Sequence, residues 1–169
     1  VPNARSKAYR EYLSLVRDLK VGGFALVNRS EPYALAAFLN RMQRASKVPL
    51  LVGGDFERAV SMRVESATLF PHAMAFAAAG SPELSRLEGE ITARQARALG
   101  VPWIFAPVAD VNNNPDNPII NIRSYGESPE VVAAHVRAFI EGARAAGPVL
   151  VTVKHFPGHG DTATDSHME

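Results

Sequence analysis

A short apolar stretch, Pro148-Val-Leu-Val-Thr-Val153, runs directly into the polar sequence Lys154-His-Phe-Pro-Gly-His-Gly-Asp161. The apolar part is rich in β-branched residues and follows Gly147, a pattern that predicts a buried strand. Titratable side chains crowd just past its end, where α/β proteins place their functional groups. We therefore expect the chemistry of this protein at the carboxyl end of this strand.

Upstream of this strand, segments with strand-like and helical patterns alternate along the chain. Three more apolar runs predict strands, at residues 21–27, 49–52 and 103–106. Four segments with apolar residues at helical spacing predict helices, at residues 6–20, 30–42, 81–98 and 128–140. Because the strands are mostly apolar and alternate with helices, the pattern predicts a parallel sheet with helices packed outside it.

Local signals mark where several of these elements begin and end. Three serines, each followed closely by a proline, stand where helix N-caps are expected, namely Ser30, Ser81 and Ser128. Gly100 follows the third helix as a C′ residue. Residues 110–125 form an irregular stretch with three consecutive asparagines, which is more typical of a functional loop than of a domain boundary.

The number of strand–helix units limits the choice of fold. Four units are about half of a (β/α)8 TIM-type barrel, which typically needs ~250 residues. A flavodoxin-like open sheet would show the same alternation and stays open at this point. The chain stops directly after its polar motif, without a turn or a cap. We therefore expect residues 1–169 to be one partial domain of a longer protein.

Composition excludes several classes of partner. The chain has 169 residues, of which 47% are hydrophobic and 21% charged, as in an ordinary globular domain. A net charge of +1 gives no basic field for nucleic acid or an anionic membrane. Disulfides and thiolate metal sites are excluded because the chain has no cysteine. No apolar run approaches the roughly 20 residues of a membrane span.

Polar residues follow the predicted strands at several points. Asp55 comes after Gly53-Gly54, Arg123 ends the asparagine-rich stretch, and Lys154 and His155 continue the last strand. Taken singly, Asp55 reads as a turn or cap residue, and Arg63 and Arg123 as solvated surface charges. A lysine that directly continues a buried strand is costly unless another group pairs with it. We therefore expect these side chains to form one constellation.

Asp165-Ser-His167 allows two functional interpretations. In an extended loop, residues i and i+2 project to the same side, so Asp165 could orient the imidazole of His167 as a general acid/base. The alternative is a zinc or iron site, built from His155, His159, Asp161 and His167. Spacing alone does not separate the two. The remaining histidines, His72 and His135, have no partner charge nearby in the sequence and are predicted to be structural.

The terminal motif, from Lys154 to Thr162 and on to Asp165-Ser-His167, resembles the signature of family 3 glycoside hydrolases. The similarity is to the β-N-acetylglucosaminidase (β-N-acetylhexosaminidase) branch that acts in peptidoglycan recycling, since the two-domain β-glucosidases of the family lack the Asp-Ser-His loop. Further matching segments cover nearly the whole chain, at residues 22–28, 70–71, 106–112, 117–118 and 123–126. The resemblance implies the (β/α)8 TIM-type barrel, with only its N-terminal half or so in this chain.

The resemblance also implies roles for individual residues. The ring of N-acetylglucosamine in the −1 subsite would be held by Asp55, Arg63, Arg123, Lys154 and His155. His167 would be the acid/base of a retaining reaction, and Asp165 its orienting partner. The family's nucleophile is an aspartate on a later strand, downstream of residue 169, so we expect this chain alone to be inactive. No metal and no organic cofactor is implied.

One segment departs from the family pattern. The usual Asp-Gln-Glu-Gly-Gly-Arg-Val reads Asp55-Phe-Glu-Arg-Ala-Val-Ser61 here; Asp55, Glu57 and the more distant Arg63 are kept, but the glycine pair is not. The alternatives are a family 3 β-glycosidase for another sugar, a metal-dependent hydrolase and a non-catalytic sugar-binding relative. The resemblance favours the bacterial cytoplasm, with a periplasmic or lipid-anchored protein as the alternative. Oligomeric state stays open.

Overall fold

The computed structural model describes residues 1–165. Five α-helices lie in this range: α1 (Lys7–Arg17), α2 (Pro32–Ala45), α3 (Ala73–Ala78), α4 (Pro82–Leu99) and α5 (Pro129–Ala145). Four strands alternate with them: β1 (Gly23–Leu26), β2 (Leu51–Gly54), β3 (Trp103–Ile104) and β4 (Leu150–Val151). Among the described residues, none of the helices combines the length and the hydropathy of a membrane span.

The four strands form one parallel sheet in the order β1-β2-β3-β4. Gly23 pairs with Leu51, Gly53 with Trp103, and Trp103 with Leu150. A flavodoxin-like sheet would have the order 2-1-3-4-5, so that alternative is wrong. Sequential parallel strands joined by helices are the topology of a (β/α)8 barrel, and the predicted barrel-type fold is confirmed, with four of its strands within residues 1–165.

The two faces of the sheet differ in what covers them. Val52 and Ile104 point toward the helices and are fully buried. Side chains alternate along a strand, so Leu51 lies on the opposite face, where it is 37% exposed, as is Leu150 at 50%. On this same face the indole N–H of Trp103 donates to the hydroxyl of Thr152 at 2.7 Å. The main hydrophobic core therefore lies between the sheet and the helices.

Helices α4 and α5 pack against each other at backbone distance. A Cβ atom added at Gly142 would overlap the carbonyl oxygen of Arg86, and one added at Gly89 would overlap the carbonyl oxygen of Phe139. Each helix thus presents a glycine to the backbone of the other. Close packing of this kind tolerates no added methyl group without movement of a helix.

A group of buried polar side chains lies beside this helix pair. Glu88 on α4 is 1% exposed, and its Oε1 has no hydrogen-bond partner among the described residues. Burial raises the pKa of Glu88 to about 9, so the side chain is a neutral acid at pH 7. His135 is buried, bonds Ser85 Oγ through Nδ1 at 2.8 Å and stacks on Tyr125 at a centroid distance of 5.0 Å. The prediction that His135 is structural is confirmed.

Helix starts agree with the sequence in position but not always in chemistry. Ser128 accepts a hydrogen bond from the Val131 N–H, as an N-cap should. The prediction for Ser30 is wrong, since Glu31 caps α2 by accepting from two backbone N–H groups. Ser81 precedes α4 without a side-chain cap bond. Helix α3 was not predicted, because its six residues are too few to show a helical period.

Candidate functional site

Loops that follow β2, β3 and β4 meet at the carboxyl edge of the sheet. Asp55 directly follows β2, and Lys154 lies three residues beyond β4, where it pairs with Val108 in a parallel bridge. Lys154 Nζ lies 2.9 Å from Asp55 Oδ1 and 2.6 Å from Glu57 Oε1. The predicted need for a partner of Lys154 is thereby met by two carboxylates.

The contacts of Lys154 extend into a row of alternating charges. Arg63 Nη2 donates to Asp55 Oδ2 at 2.7 Å. Arg123 donates to Glu57 through Nε at 2.9 Å and through Nη2 at 2.8 Å, a bidentate arrangement. We call this set the ion-pair row; in order it contains Arg63, Asp55, Lys154, Glu57 and Arg123. Four of the five residues predicted to bind a ligand therefore belong to one connected structure.

The ion-pair row keeps its carboxylates ionised. Burial raises the pKa of Asp55, but the hydrogen bonds from Lys154 and Arg63 outweigh it and leave that pKa below its ordinary value of 3.8. The same balance lowers the pKa of Glu57, where Arg123 and Lys154 oppose burial. The Glu57 hydrogen bond in turn raises the pKa of Arg123. The row thus carries fixed charges of both signs at neutral pH.

A second pair lies beside the ion-pair row. His155 Nδ1 is 2.5 Å from Asp110 Oδ2, and the side chain of Asp110 is fully buried. Asp110 Oδ1 also accepts the backbone N–H of His159 at 2.7 Å. Burial raises the pKa of Asp110, but these two hydrogen bonds outweigh it and lower the pKa below 3.8. Because an ionised Asp110 can only accept, His155 donates to it from a protonated Nδ1, and Nε2 is the nitrogen left for other contacts.

Asp110, Lys154 and His155 line an open pocket of about 560 Å³. The loop at residues 156–161 forms one wall of the pocket, and Phe156 in that loop is 98% exposed. Small-molecule sites typically measure about 300–1,000 Å³ and combine an apolar lining with a few oriented polar groups. The size and the lining of this pocket fit a ligand of a few rings or fewer.

The predicted acid/base pair falls at the end of the described range and beyond it. Asp165 is partly buried and is the last residue that the structure describes. His167 lies outside the described residues, so its predicted role is not tested. The statement that His72 has no charge nearby is wrong: burial lowers its pKa, Arg58 lowers it further, and Glu57 acts in the opposite direction. His72 therefore lies within the electrostatic reach of the ion-pair row.

Two residues of the site were not assigned from the sequence. Glu57 is part of a recognised segment, but its partner Arg123 is 66 positions away. Asp110 is the first charged residue after β3, as Asp55 is the first charged residue after β2, although Asp110 lies six residues beyond its strand and Asp55 only one. That equivalence is a signal in the sequence, because carboxyl ends of neighbouring parallel strands meet at one edge.

The competing metal site gains no support within residues 1–165. There, no three His, Cys, Asp or Glu side chains come together as metal ligands would. His155 bonds Asp110, and His159 Nδ1 lies 2.5 Å from the hydroxyl of Thr162. The fourth proposed ligand, His167, is outside this range.

Known proteins resemble this chain over nearly its whole length. The family model of the glycosyl hydrolase family 3 N terminal domain matches residues 2–169. The β-N-acetylglucosaminidase/β-glucosidase of Cellulomonas fimi is 39% identical over 94% of this chain and 28% of its own length. The structure of a family 3 β-N-acetylglucosaminidase from Paenibacillus is 41% identical, with a TM-score of 0.86 over 93% of this chain and 31% of that one.

A further solved structure carries a different activity in its name. It is the β-glucoside phosphorylase BglX, which is 35% identical with a TM-score of 0.82 over 86% of this chain and 26% of that one. The chain thus spans about a third or less of the length of these three relatives.

Proposed function

Because this chain belongs to glycosyl hydrolase family 3, we propose that the whole protein is a retaining β-N-acetylglucosaminidase. It would remove terminal β-linked N-acetylglucosamine from muropeptides or chitooligosaccharides. The observation that carries the proposal is the ion-pair row at the carboxyl edge of the sheet. It brings together Asp55, Arg63, Arg123 and Lys154, four of the residues that the family resemblance assigns to the sugar ring.

The row and the neighbouring histidine have the chemistry of a sugar-ring site. Carboxylates accept hydrogen bonds from ring hydroxyls, and Lys154 and the arginines donate to them. His155 lines the pocket next to Lys154, with Nδ1 occupied by Asp110. Convergent charged groups in a fixed geometry provide directional contacts to a neutral, hydroxyl-rich ligand.

The proposed reaction proceeds in two displacements. An aspartate on a later strand, downstream of residue 169, attacks the anomeric carbon while the bond to the leaving oxygen breaks. His167 gives its proton to that oxygen, with Asp165 holding the imidazole in orientation. In the second step water attacks the anomeric carbon, His167 takes a proton from the water, and the aspartate is released. A neutral imidazole in this role adds no second negative charge beside the nucleophile.

The test is hydrolysis of a chromogenic β-N-acetylglucosaminide by the full-length protein. Wild type and His167→Ala are compared, each with and without excess chelator. Turnover that resists the chelator and falls by about 10²–10⁴-fold in the variant would support the glycosidase and the acid/base role together. Turnover abolished by the chelator would favour the metal-dependent hydrolase. No turnover on any sugar would favour a non-catalytic sugar-binding protein.

Two further assays test the activities for which the relatives are named. One relative is named for both N-acetylglucosaminidase and glucosidase activity, so the matching β-glucoside is assayed in parallel. Preference for the β-glucoside would replace the proposed sugar but keep the family. Another relative is named a phosphorylase, so inorganic phosphate is added to separate samples. A sugar phosphate product would show that phosphate replaces water as the acceptor.

A further inference from the structure

Asn117 joins two loops at the edge of the candidate site. It is 2% exposed and belongs to the asparagine-rich loop, residues 110–125. Its Oδ1 accepts the backbone N–H groups of Ile119 at 2.9 Å and Ile120 at 2.7 Å. Its Nδ2 donates across to the carbonyl oxygen of His159 at 2.7 Å. One side chain therefore shapes its own loop through its oxygen. Through its nitrogen it holds the loop at residues 156–165, which we call the terminal loop.

Further contacts fix the same part of the terminal loop. Asn114 Nδ2 donates to the carbonyl oxygen of Thr162 at 3.2 Å, and Asp110 accepts the N–H of His159. Gly160 lies against the carbonyl oxygen of Val111, where a Cβ atom would overlap it. The loop is therefore seated on the asparagine-rich loop over residues 159–162.

This seat is close in sequence to the proposed acid/base pair but separate from the ion-pair row. Asp165 follows Thr162 by three residues, and three residues span at most about 10 Å. The anchor at residues 159–162 thus limits where Asp165 can lie. The side-chain hydrogen bonds of Asn117 go to the two loops and not to Asp55, Glu57 or Lys154.

We propose that Asn117 is a positioning residue for the proposed acid/base: its amide nitrogen holds the terminal loop in the position that proton transfer requires. The inference rests on the proposed function. Losing the bond to the His159 carbonyl would leave the sugar-ring contacts in place and displace the proton donor. Misplacement of a reacting group by about 1 Å can reduce a rate about 10²-fold.

The sharpest variant is Asn117→Asp. Aspartate keeps the oxygen that accepts from Ile119 and Ile120, so the asparagine-rich loop retains its turn. It replaces the donor with a second oxygen that faces the His159 carbonyl, so the bridge between the loops is lost. The buried carboxylate adds a desolvation cost, and Asn117→Ala, which adds no charge, separates that cost from the loss of the bridge. Asn117→Ala removes both functions and serves as the second variant. Asp116→Ala is the matched control, because Asp116 is an exposed neighbour whose backbone N–H, rather than its carboxylate, bonds Asn114.

The readout is the dependence of kcat/KM on the leaving group, measured with the full-length protein. Two aryl β-N-acetylglucosaminides are compared: phenyl, which needs a proton to leave, and 2,4-dinitrophenyl, which does not. For Asn117→Asp we expect kcat/KM on the phenyl glycoside to fall about 10- to 100-fold, and on the dinitrophenyl glycoside less than about threefold. His167→Ala should show the same pattern more strongly, and Asp116→Ala should match the wild type.

Equal losses on the two substrates, or a raised KM with unchanged kcat, would overturn the inference, since either result assigns Asn117 to the fold or to sugar binding. Either result can be read only if the wild type is active. A wild type that cleaves neither substrate removes the proposed function itself and this inference with it.

Azide gives a second check on Asn117→Asp: it attacks without losing a proton, so it should restore kcat on the dinitrophenyl glycoside. If Asn117→Asp shows the expected dependence on the leaving group but azide does not restore its kcat, Asn117 does not position the base of the second step.

Discussion

Replacing Glu88 by glutamine should stabilise the protein relative to wild type, by an amount that grows as the pH rises. Glu88 is buried on α4, and its pKa of about 9 lies well above its ordinary value of 4.5. Between these two values the unfolded chain releases the Glu88 proton while the folded chain keeps it. The contribution of Glu88 to stability is therefore largest below pH 4.5 and falls as the pH rises toward 9. Glutamine has nearly the same shape and no proton to release, so it removes this dependence.

The size of the effect follows from the interval between the two pKa values. Each pH unit within that interval changes the free energy of unfolding by about 1.4 kcal/mol. The stability difference between Glu88→Gln and wild type should therefore grow by about 3 kcal/mol from pH 6 to pH 8. For a domain of 150–250 residues this corresponds to a shift in Tm of about 6–12 °C, and to less in a larger cooperative unit.

The assay is thermal unfolding of both proteins at half-unit steps from pH 5 to pH 9. Glu83→Gln is the matched control, because Glu83 lies on the same helix but is exposed and forms a surface ion pair with Arg86. It should change stability by no more than about 1 kcal/mol at any pH. Parallel pH profiles for wild type and Glu88→Gln would refute the reasoning. A Glu88 carboxyl signal in ¹³C NMR that titrates near pH 4.5 would refute it independently.

Three further outcomes are expected. Gly142→Ala should destabilise the protein by about 1–3 kcal/mol by forcing α4 and α5 apart, whereas Gly22→Ala, which meets no atom within 4 Å, should not; chemical denaturation compares them. Ser128→Ala should cost about 1 kcal/mol of stability and Ser81→Ala close to none, since only Ser128 makes a cap bond. The lowered pKa of Glu57 means that its ion pairs stabilise the fold above its ordinary value of 4.5 and are lost as pH falls through the folded pKa. Glu57→Gln should therefore lose up to about 3–5 kcal/mol at pH 7 and less near pH 3, as unfolding at the two pH values would show.

The sequence predicted the number of the strands and their places in the chain more accurately than their ends. Apolar β-branched runs mark a buried strand wherever it occurs, and sequence-adjacent parallel strands tend to lie side by side. The last strand was predicted over residues 148–153, but ladder pairing covers only Leu150–Val151. The segment is still extended beyond it, because Thr152 N–H donates to the carbonyl oxygen of Ile104 at 2.9 Å. Composition indicates where the chain is extended, but the length of a strand also depends on a neighbouring strand to pair with each residue.

Prediction of the site was limited by pairing over long sequence distances. Lys154 could be recognised as needing a partner from its own position at the end of a strand. Which carboxylates supply it depends on the fold, since Asp55 is 99 positions away. The same reason hid Asp110 as the partner of His155, 45 positions away. At the start of α2 the sequence predicts Ser30 as the N-cap, whereas the side chain of the next residue, Glu31, accepts the free backbone N–H groups.

The ion-pair row has a consequence for the entropy of binding. Lysine and arginine side chains have many rotamers, and immobilising such a side chain at an interface costs about 0.5–1.5 kcal/mol. Arg63, Lys154 and Arg123 are held by carboxylates of the chain itself. A small neutral ligand therefore meets donors whose freedom was lost when the chain folded. If the row holds the sugar ring as proposed, removing one carboxylate would weaken binding, because the cations next to it would regain their rotamers.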